Sequence, residues 1–237
     1  MSFASSSVLC LPRNRVGRDF IVGDVGGAFD QIFQAMQDVD FDPNRDRLIS
    51  VGHLLAGQAS LTSCIRFLRT PSVFAVLSNG EQDLIDLFAE GPPDDEAVEA
   101  LAALDYYGMA WLAAAGQLQR TQLVAAMRLL PLAISIGDVG AATGYVHAGL
   151  PQGEGWDEFT AGLRRGKDHC VWAALRGAAG DHQVAGVKRV FVCYTPEWDL
   201  THRHANVVAV APGPVLRLIS DIMAAPKLVE GRESAKI

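Results

Sequence analysis

The chain has 237 residues, 49% of them hydrophobic and 20% charged, enough apolar length to bury a large core. That composition excludes an intrinsically disordered protein. With 20 Lys and Arg against 27 Asp and Glu, the net charge is −7, which argues against nucleic acid and anionic lipid as partners.

Along the chain, the apolar stretch Val8–Pro12 is short and is followed by Arg13, Arg15 and Arg18, unlike a signal peptide. No apolar run approaches the roughly 20 residues that span a bilayer. A cytoplasmic protein with no membrane partner is expected. The β-rich run Arg18–Asp24 predicts a buried strand entering a loop. Apolar residues at 29, 32, 33, 36 and 39 predict a helix over 28–39. After the turn at Asp42-Pro43-Asn44, a second strand is expected over Arg47–Gly52 and a second helix over Leu61–Leu68. A third strand over Val73–Leu77 and a third helix over Glu81–Ala89 follow. Strands alternating with helices indicate an α/β protein.

Past the break at Gly91-Pro92-Pro93, an Ala-rich helical region is expected from Glu96 to Leu130, interrupted at Gly108 and Gly116. Beyond Pro131 the pattern is β: 132–136, 144–147, 190–194, 206–210 and 215–219. The charged residues 226–237 read as a loose tail, and nothing divides the chain, so a single domain over 1–237 is expected. Cys10, Cys64, Cys170 and Cys193 lack Cys-x-x-Cys spacing and read as reduced thiols.

In open α/β proteins, sites form at the carboxyl ends of strands. Here the first three strands end in Gly23-Asp24-Val25-Gly26-Gly27, Gly52-His53-Leu54-Leu55-Ala56-Gly57 and Ser78-Asn79-Gly80-Glu81. Two later pieces are Tyr145-Val146-His147-Ala148-Gly149-Leu150-Pro151 and Val192-Cys193-Tyr194-Thr195-Pro196. Together the five junctions resemble the calcineurin-like metallophosphoesterases, the small bacterial and phage Ser/Thr phosphatases in particular, from about Val16 to Ile222. That family reads Gly-Asp-x-His-Gly, Gly-Asp-x-x-Asp-Arg-Gly, Gly-Asn-His-Glu, His-Ala-Gly and Gly-His-Thr-Pro. The resemblance implies a four-layer αββα sandwich, two mixed sheets flanked by helices.

It also implies two divalent ions ~3.5–4 Å apart that clamp a phosphate and acidify a bridging water. By the motif alignment, Asp24, Asn79 and His147 keep ligand positions. Gly26 replaces the first metal His, His53 the bridging Asp and Tyr194 the last metal His. Gly80 replaces the proton-donating His, Ala56 the Asp that orients it and Gly57 a phosphate-binding Arg. An imidazole nitrogen has one lone pair and binds one metal, so the loss of the bridging carboxylate is the most serious. Loss of the donor removes general acid catalysis, worth ~10²–10⁴ in rate.

The expectation is therefore a catalytically inactive, phosphatase-like protein that binds a phosphoprotein, a ligand or a partner protein. No cofactor is expected, the alternative being one divalent transition metal (Mn, Zn or Fe) on Asp24, His53, Asn79, His147 and possibly Tyr194. A mononuclear phosphoesterase and an assembly component using another surface are the competing functions. Asp24 reads equally as a ligand or a turn residue, Asn79 as holding its turn through backbone bonds, and Cys193 as a buried thiol at a strand end.

Overall fold

The computed structural model describes residues 7–57, 60–104, 108–151, 153–166, 183–193 and 205–224. The first sheet is built from β2 (Asp19–Val22), β3 (Arg47–Ser50) and β4 (Val73–Ala75), all parallel, with the two-residue β9 (Arg217–Leu218) antiparallel on β2. Helices α1 (Phe29–Asp38) and α2 (Leu61–Arg69) make the crossovers between successive strands, and α3 (Asn79–Leu87) follows β4. These are the three strand–helix units expected from the sequence.

The second sheet has the order β1-β5-β6-β7-β8: Val8–Leu11, Ala133–Ile136, Thr143–Val146, Arg189–Cys193 and Val207–Val210. Among the described residues only the β5–β6 pair of this sheet is antiparallel, so it too is mixed. The two sheets face each other through alternate residues of their strands. Ile21, Ile49, Val51 and Val76 of the first pack with Ile134, Ile136, Tyr145, Phe191 and Val210 of the second. The intervening positions, such as Phe20, Val22 and Leu48, face outward into a helix-covered core with Phe29, Ile32 and Phe67. The layering is the expected αββα sandwich.

The helical region expected over 96–130 is α4 (Asp95–Ala102), α5 (Trp111–Ala114) and α6 (Gln117–Met127). Asp94 caps α4 by accepting from Ala97 N at 2.9 Å, and the break before α6 falls at Gly116. Its buried face is Val98, Leu112, Leu123, Val124 and Met127, whereas Leu104 and Leu118 are exposed. Between α4 and α6 lies a hollow of about 490 Å³ closed by Arg120, whose guanidinium meets Asp95 at 2.7 Å; no strand-end residue lines it.

Three elements differ from expectation. β1 was not foreseen, because four apolar residues ahead of Pro12 gain strand character only by pairing with β5. α7 (Trp156–Arg164) occupies a stretch in which only strands were expected, and buries Trp156, Phe159 and Leu163 at helical spacing against the second sheet. The strand expected over 215–219 shrinks to β9, and Ile219 already begins helix α8 (Ile219–Ala224). No helix among the described residues is long and apolar enough to cross a membrane.

Candidate metal centre

Asp24 follows β2 by two residues, His53 lies in the loop after β3, His147 directly follows β6, and Cys193 ends β7. Strand ends from both sheets thus deliver these side chains to one place. Cys193 Sγ donates to Asp24 Oδ1 at 2.6 Å, and His53 Nδ1 lies 3.4 Å from Asp24 Oδ2. The rings of His53 and His147 meet edge to face with centroids 6.0 Å apart. One ligand atom from each of Asp24, His147 and Cys193 lies within 4.8 Å of the other two.

The environment sets the charges. Burial pushes the Asp24 carboxyl up, but hydrogen bonds from His53 and Cys193 outweigh it and hold the group below the ordinary aspartate range. The bond to Asp24 raises the His53 imidazole against the opposing effect of burial. His147 is shifted the other way, chiefly by burial, and stays neutral. Burial first, then the neighbouring Asp24 charge, push the Cys193 thiol far up. The centre therefore combines a carboxylate held by His53, a neutral imidazole and a protonated thiol.

Around this centre the loops are pinned by a residue that the motif reading passed over. Glu81, 1% exposed, accepts from Leu54 N at 2.9 Å, Leu55 N at 3.2 Å and Ser78 N at 3.1 Å, and also from the Ser78 hydroxyl. Its signal was present as Ser78-x-x-Glu81, a capping box at the start of α3. The turn before α3 is thus held by Ser78 and Glu81 rather than by Asn79, the half-buried first residue of the helix. His53 itself has φ of +56°, a left-handed backbone uncommon outside glycine.

The residues present do not fit a two-metal centre. Gly26 (φ +55°) has open space where a Cβ would project, but offers no ligand atom. His53, in place of the bridging carboxylate, is engaged with Asp24. A Cβ at Gly57 (φ +69°) would meet the Gly26 carbonyl oxygen at 2.6 Å, so a side chain at this position needs one of the two loops to shift. Gly80 is buried at the head of α3, and Ala56 is half-buried. Tyr194, the remaining position, lies outside the described residues, as do Cys170 and residues 226–237.

A single cation fits better. His147 Nδ1 lies 2.7 Å from the Val51 carbonyl and donates to it, so the neutral ring carries its lone pair on Nε2. A histidine oriented in this way is the usual form of a metal ligand.

No family model matches the chain. Over 92 residues it is 36% identical to the symmetrical bis(5'-nucleosyl)-tetraphosphatase of Yersinia enterocolitica, covering 36% of this chain and 31% of that protein. Over 67 residues it is 34% identical to serine/threonine-protein phosphatase 1 of Salmonella typhimurium, covering 28% and 31%. A longer match of 157 residues, 29% identical, reaches the symmetrical bis(5'-nucleosyl)-tetraphosphatase of Methylococcus capsulatus and covers 65% and 50%. The matched part of the chain thus spans 31% to 50% of the length of these relatives. Among solved structures, a protein serine/threonine phosphatase from Saccharomyces cerevisiae superposes with a TM-score of 0.51 over 87% of this chain and 71% of that one, at 14% identity, a likeness of fold. The chain has the fold of the calcineurin-like phosphatases, and stretches of its sequence are similar to the tetraphosphatases and the phosphatase named above.

Proposed function

We propose that this chain is a catalytically inactive, phosphatase-like protein that acts by binding a phosphoprotein, a ligand or a partner protein. The observation that carries this reading is the His53–Asp24 pair at 3.4 Å. A basic side chain stands where two-metal hydrolysis needs a bridging carboxylate, and it engages the carboxylate that would hold the first ion. Gly80 supplies no proton to a leaving group, which alone forfeits about 10²–10⁴ in rate. Gly57 offers no guanidinium for a phosphate, and a side chain there would crowd the Gly26 carbonyl oxygen.

The test is turnover, in excess Mn²⁺, of p-nitrophenyl phosphate and of diadenosine tetraphosphate, a bis(5'-nucleosyl) tetraphosphate of the kind for which the similar tetraphosphatases are named. No turnover above the metal-only background is expected. Mn²⁺-dependent turnover that disappears on both Asp24→Ala and His147→Ala would overturn the proposal.

A further inference from the structure

We propose that Asp24, His147 and Cys193 form a site for a single thiophilic divalent cation, Zn²⁺, with His53 holding Asp24 from behind. The site rests on the same strand ends as the reading above, but that reading concerns turnover and this one concerns metal, so each can fail alone.

Four observations support it. First, the donors come from three strand ends, so the sheets fix their spacing. The ends of β6 and β7 are further tied by Cys193 N donating to His147 O at 2.9 Å. Second, the spacing is nearly right. Tetrahedral Zn²⁺ with Zn–S near 2.3 Å and Zn–N or Zn–O near 2.0 Å places neighbouring donors roughly 3.3–3.8 Å apart. The donors here lie within 4.8 Å of one another, so the widest separation must close by about an ångström while the 2.6 Å contact between Cys193 Sγ and Asp24 Oδ1 opens by about as much.

Third, the outer contacts are those of a metal site. His147 is oriented by Val51 O through Nδ1, which directs coordination to Nε2. Asp24 is contacted by His53 at Oδ2, while Oδ1 is turned to the thiol. Fourth, the donor set is chemically selective. One thiolate, one imidazole and one carboxylate match Zn²⁺, whereas Mn²⁺ and Mg²⁺ favour oxygen-rich sets. Three protein donors leave a fourth position for water or an oxygen of a phosphate-bearing ligand.

Binding replaces the proton that Cys193 now shares with Asp24. The S–H bond breaks, an S–Zn bond forms with the sulfur electron pair, and one proton leaves to solvent for each cation bound. No oxidant or reductant is involved.

The full chain, freshly purified and stripped with chelator, is titrated with Co²⁺ and then Zn²⁺. The expected result is one Co²⁺ per chain with a thiolate-to-cobalt charge-transfer band, displaced by one equivalent of Zn²⁺, with about one proton released per cation. Cys193→Ser removes the band and weakens Zn²⁺ binding about 100-fold or more, while His53→Asn keeps the band and weakens binding about 10-fold. Cys10→Ser, an exposed position, leaves both unchanged. Should Cys193→Ser fail to fold, Asp24→Asn serves instead and must weaken Zn²⁺ binding about 10-fold or more. A band that survives Cys193→Ser, no Zn²⁺ uptake, or two Mn²⁺ bound in preference to Zn²⁺ would overturn the site. Zn²⁺ uptake with Mn²⁺-dependent turnover keeps the site and removes the non-catalytic reading. No uptake and no turnover does the reverse.

Discussion

Asp24 and Glu81 are two carboxylic side chains at the same edge of the sandwich, and they are held in opposite ways. Glu81 is buried and accepts from three backbone N–H groups and a hydroxyl of its own protein. Asp24, with a side chain 22% exposed, is held by an imidazole and a thiol, both of which also bind metals. The first arrangement locks the loops after β3 and β4 to each other and leaves nothing for an outside ligand. The second is made of groups that can exchange a proton for a cation. A carboxylate whose partners are backbone N–H groups is architectural; one whose partners are themselves ligands is available for chemistry.

This contrast breaks most directly at Glu81. Glu81→Ala leaves buried N–H groups unsatisfied and should cost about 4 kcal/mol in urea unfolding, with Glu81→Gln intermediate. Asp24→Asn should cost less than about 1 kcal/mol in the same experiment, since its pair is partly exposed. Equal costs at the two positions would dissolve the distinction.

A third carboxylate sharpens it. Asp46, 4% exposed, accepts from Arg18 N at 2.7 Å, from the Arg18 guanidinium and from Asp42 N at 3.1 Å. Asp46→Ala should cost about 2–3 kcal/mol. Burial pushes the Asp46 carboxyl up, but the Arg18 bonds outweigh it and hold the group below its ordinary value. Its contribution is therefore complete above the unfolded aspartate value of about 3.9 and is lost as pH falls through the lower folded value. Unfolding curves taken from pH 5 downward should show wild type losing stability faster than Asp46→Ala.

Trp111→Phe removes the Nε1 donor to Leu55 O, 2.8 Å away on the loop that Glu81 pins. It should cost about 1 kcal/mol by thermal unfolding and leave Co²⁺ binding intact. The smallest effect is expected for Cys10→Ser, within about 0.5 kcal/mol, because the thiol is exposed.

How much was visible in the sequence follows the range of the interactions. β2, β3 and β4 with their Gly-rich ends were legible because apolar runs and turn residues sit next to each other in the chain. α7 was legible in principle, since Trp156, Phe159 and Leu163 keep helical spacing, but the surrounding β pattern masked it. β1 was not, because its partner is remote. In the site, Asp24, His53 and His147 were found through the motif resemblance, and the structure brings them together. Cys193 was read correctly as a buried strand-end thiol, but its pairing with Asp24 links residues far apart in the chain. The close approach of Gly57 to Gly26 was likewise invisible, because an absent side chain does not say whether space or backbone takes its place.

The pairing of β1 with β5, Val8 opposite Ala133 through Leu11 opposite Ile136, has a consequence for biosynthesis. During synthesis β1 must wait for a partner 125 residues further along the chain. The units containing β2, β3 and β4 are contiguous and can condense while synthesis continues, with β9 joining last. Until β5 arrives, Val8–Leu11 is an apolar segment without its strand partner, open to pairing with other chains.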